Sequence, residues 1–128
     1  MERLVGVSTE KAPRAIGPYA QGMAAGGFLF LSGQIPLDPS TGEMVQGPIE
    51  GQAARVLENL KAVLEAAGSS LDRVVRTTVF LTDLRDFDSM NAVYARYFGS
   101  NRPARSTVQV AALPKGARLE IDCIARLD

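Results

Sequence analysis

Residues 48–68 read Pro-Ile-Glu-Gly-Gln-Ala-Ala-Arg-Val-Leu-Glu-Asn-Leu-Lys-Ala-Val-Leu-Glu-Ala-Ala-Gly, and residues 73–82 follow as Arg-Val-Val-Arg-Thr-Thr-Val-Phe-Leu-Thr. In the first stretch Ala53, Val56, Leu57, Leu60, Leu64 and Ala67 recur at three and four, the single apolar stripe of an amphipathic helix. Pro48 suits its start, Glu50 the positive first turn and Gly68 the C-terminal cap. The second stretch is dense in β-branched residues and reads as a strand. A one-sided helix running into a strand points to helices packed on one face of a sheet.

Downstream, a second helix is expected at about residues 86–98, with Phe87, Met90, Tyr94, Tyr97 and Phe98 on its apolar side and Gly99 at its end. Residues 105–112 and 118–126 read as strands, joined as a hairpin by a short loop holding Pro114 and Gly116. Upstream, residues 19–24 and 27–32 form a hairpin about Gly26 and Gly27, preceded by a first strand. Its second arm, from Gly27 to Ser32, is apolar almost throughout and is expected to be buried on both faces. Residues 33–47 form a polar, turn-rich loop. The expected fold is α+β, one domain over residues 1–128, with two helices on one face of a mixed sheet and the other face uncovered.

The composition narrows the chemistry. The chain has 128 residues, 46% hydrophobic and 22% charged, as in ordinary globular domains. Fourteen basic residues balance fourteen acidic ones, which speaks against a polyanionic partner or an anionic membrane surface. There is no histidine, so Ser-His-Asp and Cys-His catalysis and His-ligated metals are excluded. One cysteine, Cys123, excludes an internal disulfide and thiolate zinc sites, and it reads as a small buried hydrophobe. Proton transfer is left to Asp, Glu, Tyr, Lys or Cys. No P-loop, dinucleotide-binding or nucleophile-elbow motif occurs, so no nucleotide cofactor is expected. The absence of Trp and 6% aromatics disfavour a base-stacking platform. The start, Met1 to Val7, has no secretory pattern and no apolar run spans a membrane, so a cytoplasmic protein is expected.

Strand alternation places Ser106, Val108, Val110 and Ala112 on one face, and Arg105, Thr107 and Gln109 on the other. Pairing the apolar faces of the C-terminal hairpin sets Val108 near Ile121, with Arg105 and Glu120 on the uncovered face. Glu120 then lies about 13 Å along the strand from Arg105, too far for one small molecule to touch both. That spacing suggests that Arg105 of one copy meets Glu120 of another. Taken singly, Arg105 and the pair Glu120 and Asp122 also read as solvated charges. Asn91 reads as a satisfied amide or a ligand contact, and Gly33 as a turn glycine or a point of close backbone approach.

Several separated segments, in order, resemble the Rid (YjgF/YER057c/UK114) family. They are Ala15-Ile-Gly-Pro-Tyr-Ala-Gln21, Leu31-Ser-Gly-Gln-Ile-Pro36, Asn91 in its helix, Arg102-Pro-Ala-Arg-Ser-Thr-Val-Gln-Val110, Leu113-Pro-Lys-Gly116 and Glu120-Ile121. The resemblance runs nearly end to end. It implies a chorismate-mutase-like six-stranded sheet, a homotrimeric barrel with sites between subunits, and no metal or other cofactor. It also implies hydrolysis of 2-imino acids and their enamines, such as 2-aminoacrylate, 2-iminopropanoate and 2-iminobutanoate, to 2-keto acids and ammonia.

In that scheme Arg105 grips the substrate carboxylate and Glu120 directs water. Gly33 and Thr107 offer backbone groups, Ser32, Tyr19 and Asn91 shape the pocket, and Pro114 forms its rim. Thr107 departs from the cysteine that many members carry after Arg-Ser, so that position offers no thiol. Two other readings follow the same resemblance: a non-catalytic trimer that binds keto acids, and an endoribonuclease, which zero net charge and the lack of histidine disfavour.

Overall fold

The helix predicted from residue 48 runs from Ile49 to Ala66 (α1) in the computed structural model, which describes residues 3–128. Met1 and Glu2, the first two residues of the Met1–Val7 stretch read above, lie outside the described residues. Beyond α1, Gly68 turns left-handed at φ 82°, its N–H bonding Glu65 O while the Ser69 N–H bonds Leu64 O. That is the paired closure expected of a helix-terminating glycine. The stripe Ala53, Val56, Leu57, Leu60 and Leu64 is wholly buried against the sheet.

The strands are β1 (Val5–Val7), β2 (Gly22–Ala25), β3 (Phe28–Gln34), β4 (Val74–Leu81), β5 (Ala104–Gln109) and β6 (Leu119–Arg126). The second helix, α2, spans Phe87–Phe98 and ends at Gly99, with φ 59°. Together they form one mixed six-stranded sheet in the order β1-β2-β3-β6-β4-β5, with both helices on one face. The antiparallel hairpin β2–β3 forms as expected about Gly26 and Gly27. Among the described residues, no helix is long and apolar enough to cross a membrane.

Two expectations are corrected here. First, the C-terminal strands are not a hairpin: β6 inserts between β3 and β4, antiparallel to both, while β5 runs parallel to β4 at the sheet edge. The link from β4 to β5 is a crossover through α2, as a parallel pair requires. Second, β3 is buried on one face only. Leu29 and Leu31 face the helices, whereas Phe28 and Phe30 are 42% and 44% exposed on the other face. Phe80 and Ile124 lie on that open face too, and Val108 is exposed there.

Two buried amides tie the loops to this frame. Gln21 donates to the carbonyls of Thr9, Ala12 and Pro13 and accepts from the Thr9 N–H, pinning residues 9–13 beside β3. Asn59, fully buried on α1, donates to the carbonyls of Ile35 and Leu37 and anchors the segment after β3. Buried polar groups satisfied this way act as fasteners for irregular chain.

Candidate active site

The candidate residues fall into two clusters. The first surrounds Glu120, near the start of β6 and on the open face. Between Leu31 and Gln34 the pairing of β3 with β6 shifts at a bulge, and Gly33 sits there directly against the Glu120 side chain. A Cβ at Gly33 would lie 2.7 Å from Glu120 Cδ, so only glycine leaves the carboxylate where it is. Bulges re-aim side chains in this way.

Glu120 opens into a cavity of about 370 Å³ with Tyr19, Gly33, Pro114, Arg14 and Lys115 around it. Burial, and then the neighbouring Asp122 charge, push the Glu120 carboxyl above the usual carboxylate range. Asp122 is itself raised by burial. A half-buried carboxyl tuned upward is better suited to taking and returning a proton than an ordinary surface carboxylate.

The second cluster surrounds Arg105 on β5. Its register partner on β4 is Thr77, fully buried on the helix side, so Arg105 faces α2 and not the open face. This reverses the face assigned from alternation. Arg105, Thr107 and Gln109 lie on the helix side, and Ser106 and Val108 on the open side. The guanidinium carbon lies 4.7 Å from the Tyr94 ring centroid and 5.5 Å from that of Phe87. One terminal nitrogen donates to Asn91 Oδ1 at 2.7 Å. The Tyr94 hydroxyl shares a 2.7 Å hydrogen bond with Thr77, fixing the ring on which the guanidinium rests. These cation–ring contacts and one amide contact position the guanidinium and leave N–H groups over for a carboxylate. A cavity of about 540 Å³ with Arg102 on its wall opens beside it.

The other named residues are placed as follows. The Ser32 hydroxyl donates to the Ala20 carbonyl at 2.6 Å and fastens chain rather than facing the Glu120 cavity. Thr107 borders a separate surface cavity with Phe87. Cys123 is buried on the core face, and its thiol is pushed up to about 12 by that burial. The aromatic cage of Phe87 and Tyr94 and the cations Arg14 and Lys115 were missed at the sequence level. The two rings carry ordinary core spacing, and nothing local to either cation marks a cavity.

Across the sheet, Arg105 aligns with Thr77 and Cys123, and Glu120 with Phe80 and Val108. The two side chains are therefore three residues and two strands apart, about 14 Å at standard strand spacings, and point to opposite faces.

A family model described as endoribonuclease L-PSP matches residues 9–127. The chain belongs to that family, also known as Rid or YjgF. A human 2-iminobutanoate/2-iminopropanoate deaminase is 49% identical over 119 residues, 93% of this chain and 87% of that one. The crystal structure of the E. coli YjgF gene product is 46% identical with a TM-score of 0.92, covering 97% of this chain and 99% of that one. That of E. coli TdcF with bound serine is 47% identical with a TM-score of 0.91, covering 95% and 98%. The six-stranded mixed sheet with two helices is the YjgF-like fold.

Proposed function

We propose that the protein hydrolyses 2-imino acids to 2-keto acids and ammonia, at sites formed between copies of the chain in a homotrimer. The observation that carries this reading is the division of the machinery. A caged guanidinium lies on one face and an upward-tuned carboxyl on the other, so one small substrate meets both only if two copies supply them. The exposed Phe28, Phe30 and Val108 give the open face the apolar character of a surface that is covered in the working molecule. Support also comes from the name of the human relative, a 2-iminobutanoate/2-iminopropanoate deaminase, and from the serine held by TdcF.

The chemistry follows from the side chains. The free edge of the Arg105 guanidinium takes the substrate carboxylate in two parallel hydrogen bonds and fixes C2. The iminium carbon is already electrophilic. Glu120 accepts a proton from water as the water oxygen bonds to C2, giving a tetrahedral amino alcohol. It returns that proton to the nitrogen; the C–N bond then breaks as the C=O bond forms, and Glu120 takes the hydroxyl proton and hands it to the departing ammonia. Iminium and water thus become 2-keto acid and ammonium, with no proton left over. The raised pKa of Glu120 suits both halves of this exchange.

The test couples an amino-acid oxidase, which releases 2-imino acids, to semicarbazide, which traps them. Wild-type protein is expected to suppress the semicarbazone signal and Arg105→Ala to leave it intact. If wild type leaves the signal intact across small and branched substrates, the hydrolase reading fails. Binding of 2-ketobutyrate alone would then favour a sensor, and RNA cleavage the endoribonuclease of the family's description.

A further inference from the structure

Arg14 and Lys115 stand on the wall of the Glu120 cavity, and the proposed reaction uses neither. Both are exposed, and neither side chain has an ion-pair or hydrogen-bond partner among the described residues. They come from different parts of the chain: Arg14 directly follows the segment pinned by Gln21, and Lys115 lies in the turn before β6. Two cations line the same small cavity as Glu120, and among the described residues neither is ion-paired with that carboxylate or with another, so both are free to meet negative charge.

Lys115 adds an independent sign. Its backbone lies in the left-handed region, at φ 56° and ψ 25°, the only non-glycine residue with positive φ among the described residues. Glycine would adopt that conformation with less strain, and the next residue, Gly116, does so at φ 69°. Strain of this kind persists where a side chain is needed in one place. The place is the wall of the Glu120 cavity, which Lys115 helps to line.

We infer that Arg14 and Lys115 bind a second carboxylate on the substrate, so that the favoured substrates are four- and five-carbon 2-imino dicarboxylic acids. This rests on the proposed hydrolysis at the same site. Arg105 would hold the carboxylate next to C2, and the cationic rim the distal one, with C2 between them at Glu120. The distal carboxylate takes no part in bond making. A cavity of about 370 Å³ has room for such a chain. The rim does not offset the upward tuning of Glu120, whose pKa is governed by burial and Asp122. The cations therefore sit where they can meet a distal group without disabling the base.

The experiment compares two imine classes under semicarbazide trapping. An oxidase acting on acidic amino acids supplies 2-iminosuccinate and 2-iminoglutarate, and one acting on neutral amino acids supplies 2-iminopropanoate and 2-iminobutanoate. Wild type is expected to favour the dicarboxylates in kcat/KM. Arg14→Gln and Lys115→Gln should each lower dicarboxylate kcat/KM about tenfold, or ~1.4 kcal/mol, and change monocarboxylate kcat/KM less than about twofold. Lys115→Gly should match Lys115→Gln, since it removes the charge while easing the backbone. Equal losses for both classes, or wild-type turnover of monocarboxylates with no dicarboxylate preference, overturns the inference and leaves the hydrolase reading intact. Wild type that hydrolyses neither class overturns both.

Discussion

Arg105 and Glu120 point to opposite faces of one sheet, two strands and three residues apart. If they serve one reaction, each active site draws on two copies of the chain. Arg105→Ala and Glu120→Ala should then each be inactive alone and complement when co-expressed. Random assembly of an equal mixture restores about one quarter of the sites of a cyclic oligomer. Hetero-oligomers seen by mass spectrometry without returning activity would show that the residues do not cooperate across copies.

Arg105 should resist replacement by lysine. The cage of Tyr94 and Phe87 fits a flat guanidinium, and Asn91 takes one of its N–H groups. Lysine keeps the charge and loses both the stacked plane and the two-pronged grip. Arg105→Lys is expected to lower kcat/KM by at least about tenfold, or ~1.4 kcal/mol, with little change in Tm. Kinetics on the purified variant beside a thermal melt decides it.

Gly33→Ala should act through Glu120. The added methyl occupies the space of the carboxylate, so the side chain must swing away or the bulge must open. Turnover should collapse while the circular dichroism spectrum stays that of the wild type. An active Gly33→Ala enzyme would mean that Glu120 need not lie where it does.

The raised pKa of Glu120 has a consequence for stability as well as for rate. In the folded chain the carboxyl holds its proton at pH values where the unfolded chain, near 4.5, has already released it. The folded state therefore binds more protons in that window, and its stability falls as pH rises through it. Glu120→Gln should flatten this part of the stability profile and raise Tm at neutral pH. In the wild type the acid limb of kcat/KM should lie above 4.5, where Glu120 gives up its proton. A limb at or below 4.5 would remove Glu120 as the base.

Gln21 is part of the wall of the Glu120 cavity and fastens the segment that precedes Arg14. Gln21→Leu strands three carbonyls and one N–H of residues 9–13. Each group left unsatisfied costs about 1–3 kcal/mol, eased where water enters, so a clear fall in Tm is expected. Because Arg14 follows that segment, KM for 2-imino dicarboxylates should rise more than kcat falls. An unchanged Tm would show that the amide is not a fastener.

The helices and most strands were legible because their cues are local: a stripe at three and four, a β-branched run, a glycine after each helix. What was not legible is strand order. Alternation in residues 105–112 groups Arg105 with Thr107 and Gln109, and they do share a face. The pattern does not say which face that is. Apolar Val108 suggested the core, but it lies exposed on the open face. The charged Arg105 lies on the helix side because Tyr94 and Phe87 receive it there. The short link between β5 and β6 suggested neighbours, and β4 lies between them. Glu120 and Gly33 were both named from sequence, but their direct contact depends on a bulge that no local pattern announces.

The position of β6 also bears on how the chain is made. It is the last strand in sequence order and a central strand of the sheet, joining the β1-β2-β3 unit to the β4–β5 unit. During synthesis those two units emerge first, each with an open edge towards the gap, and neither can zip to the other. Closure waits until residues 119–126 leave the ribosome. Until then the nascent polypeptide carries two unpaired strand edges side by side, the kind of surface that chaperones shield and that aggregation exploits.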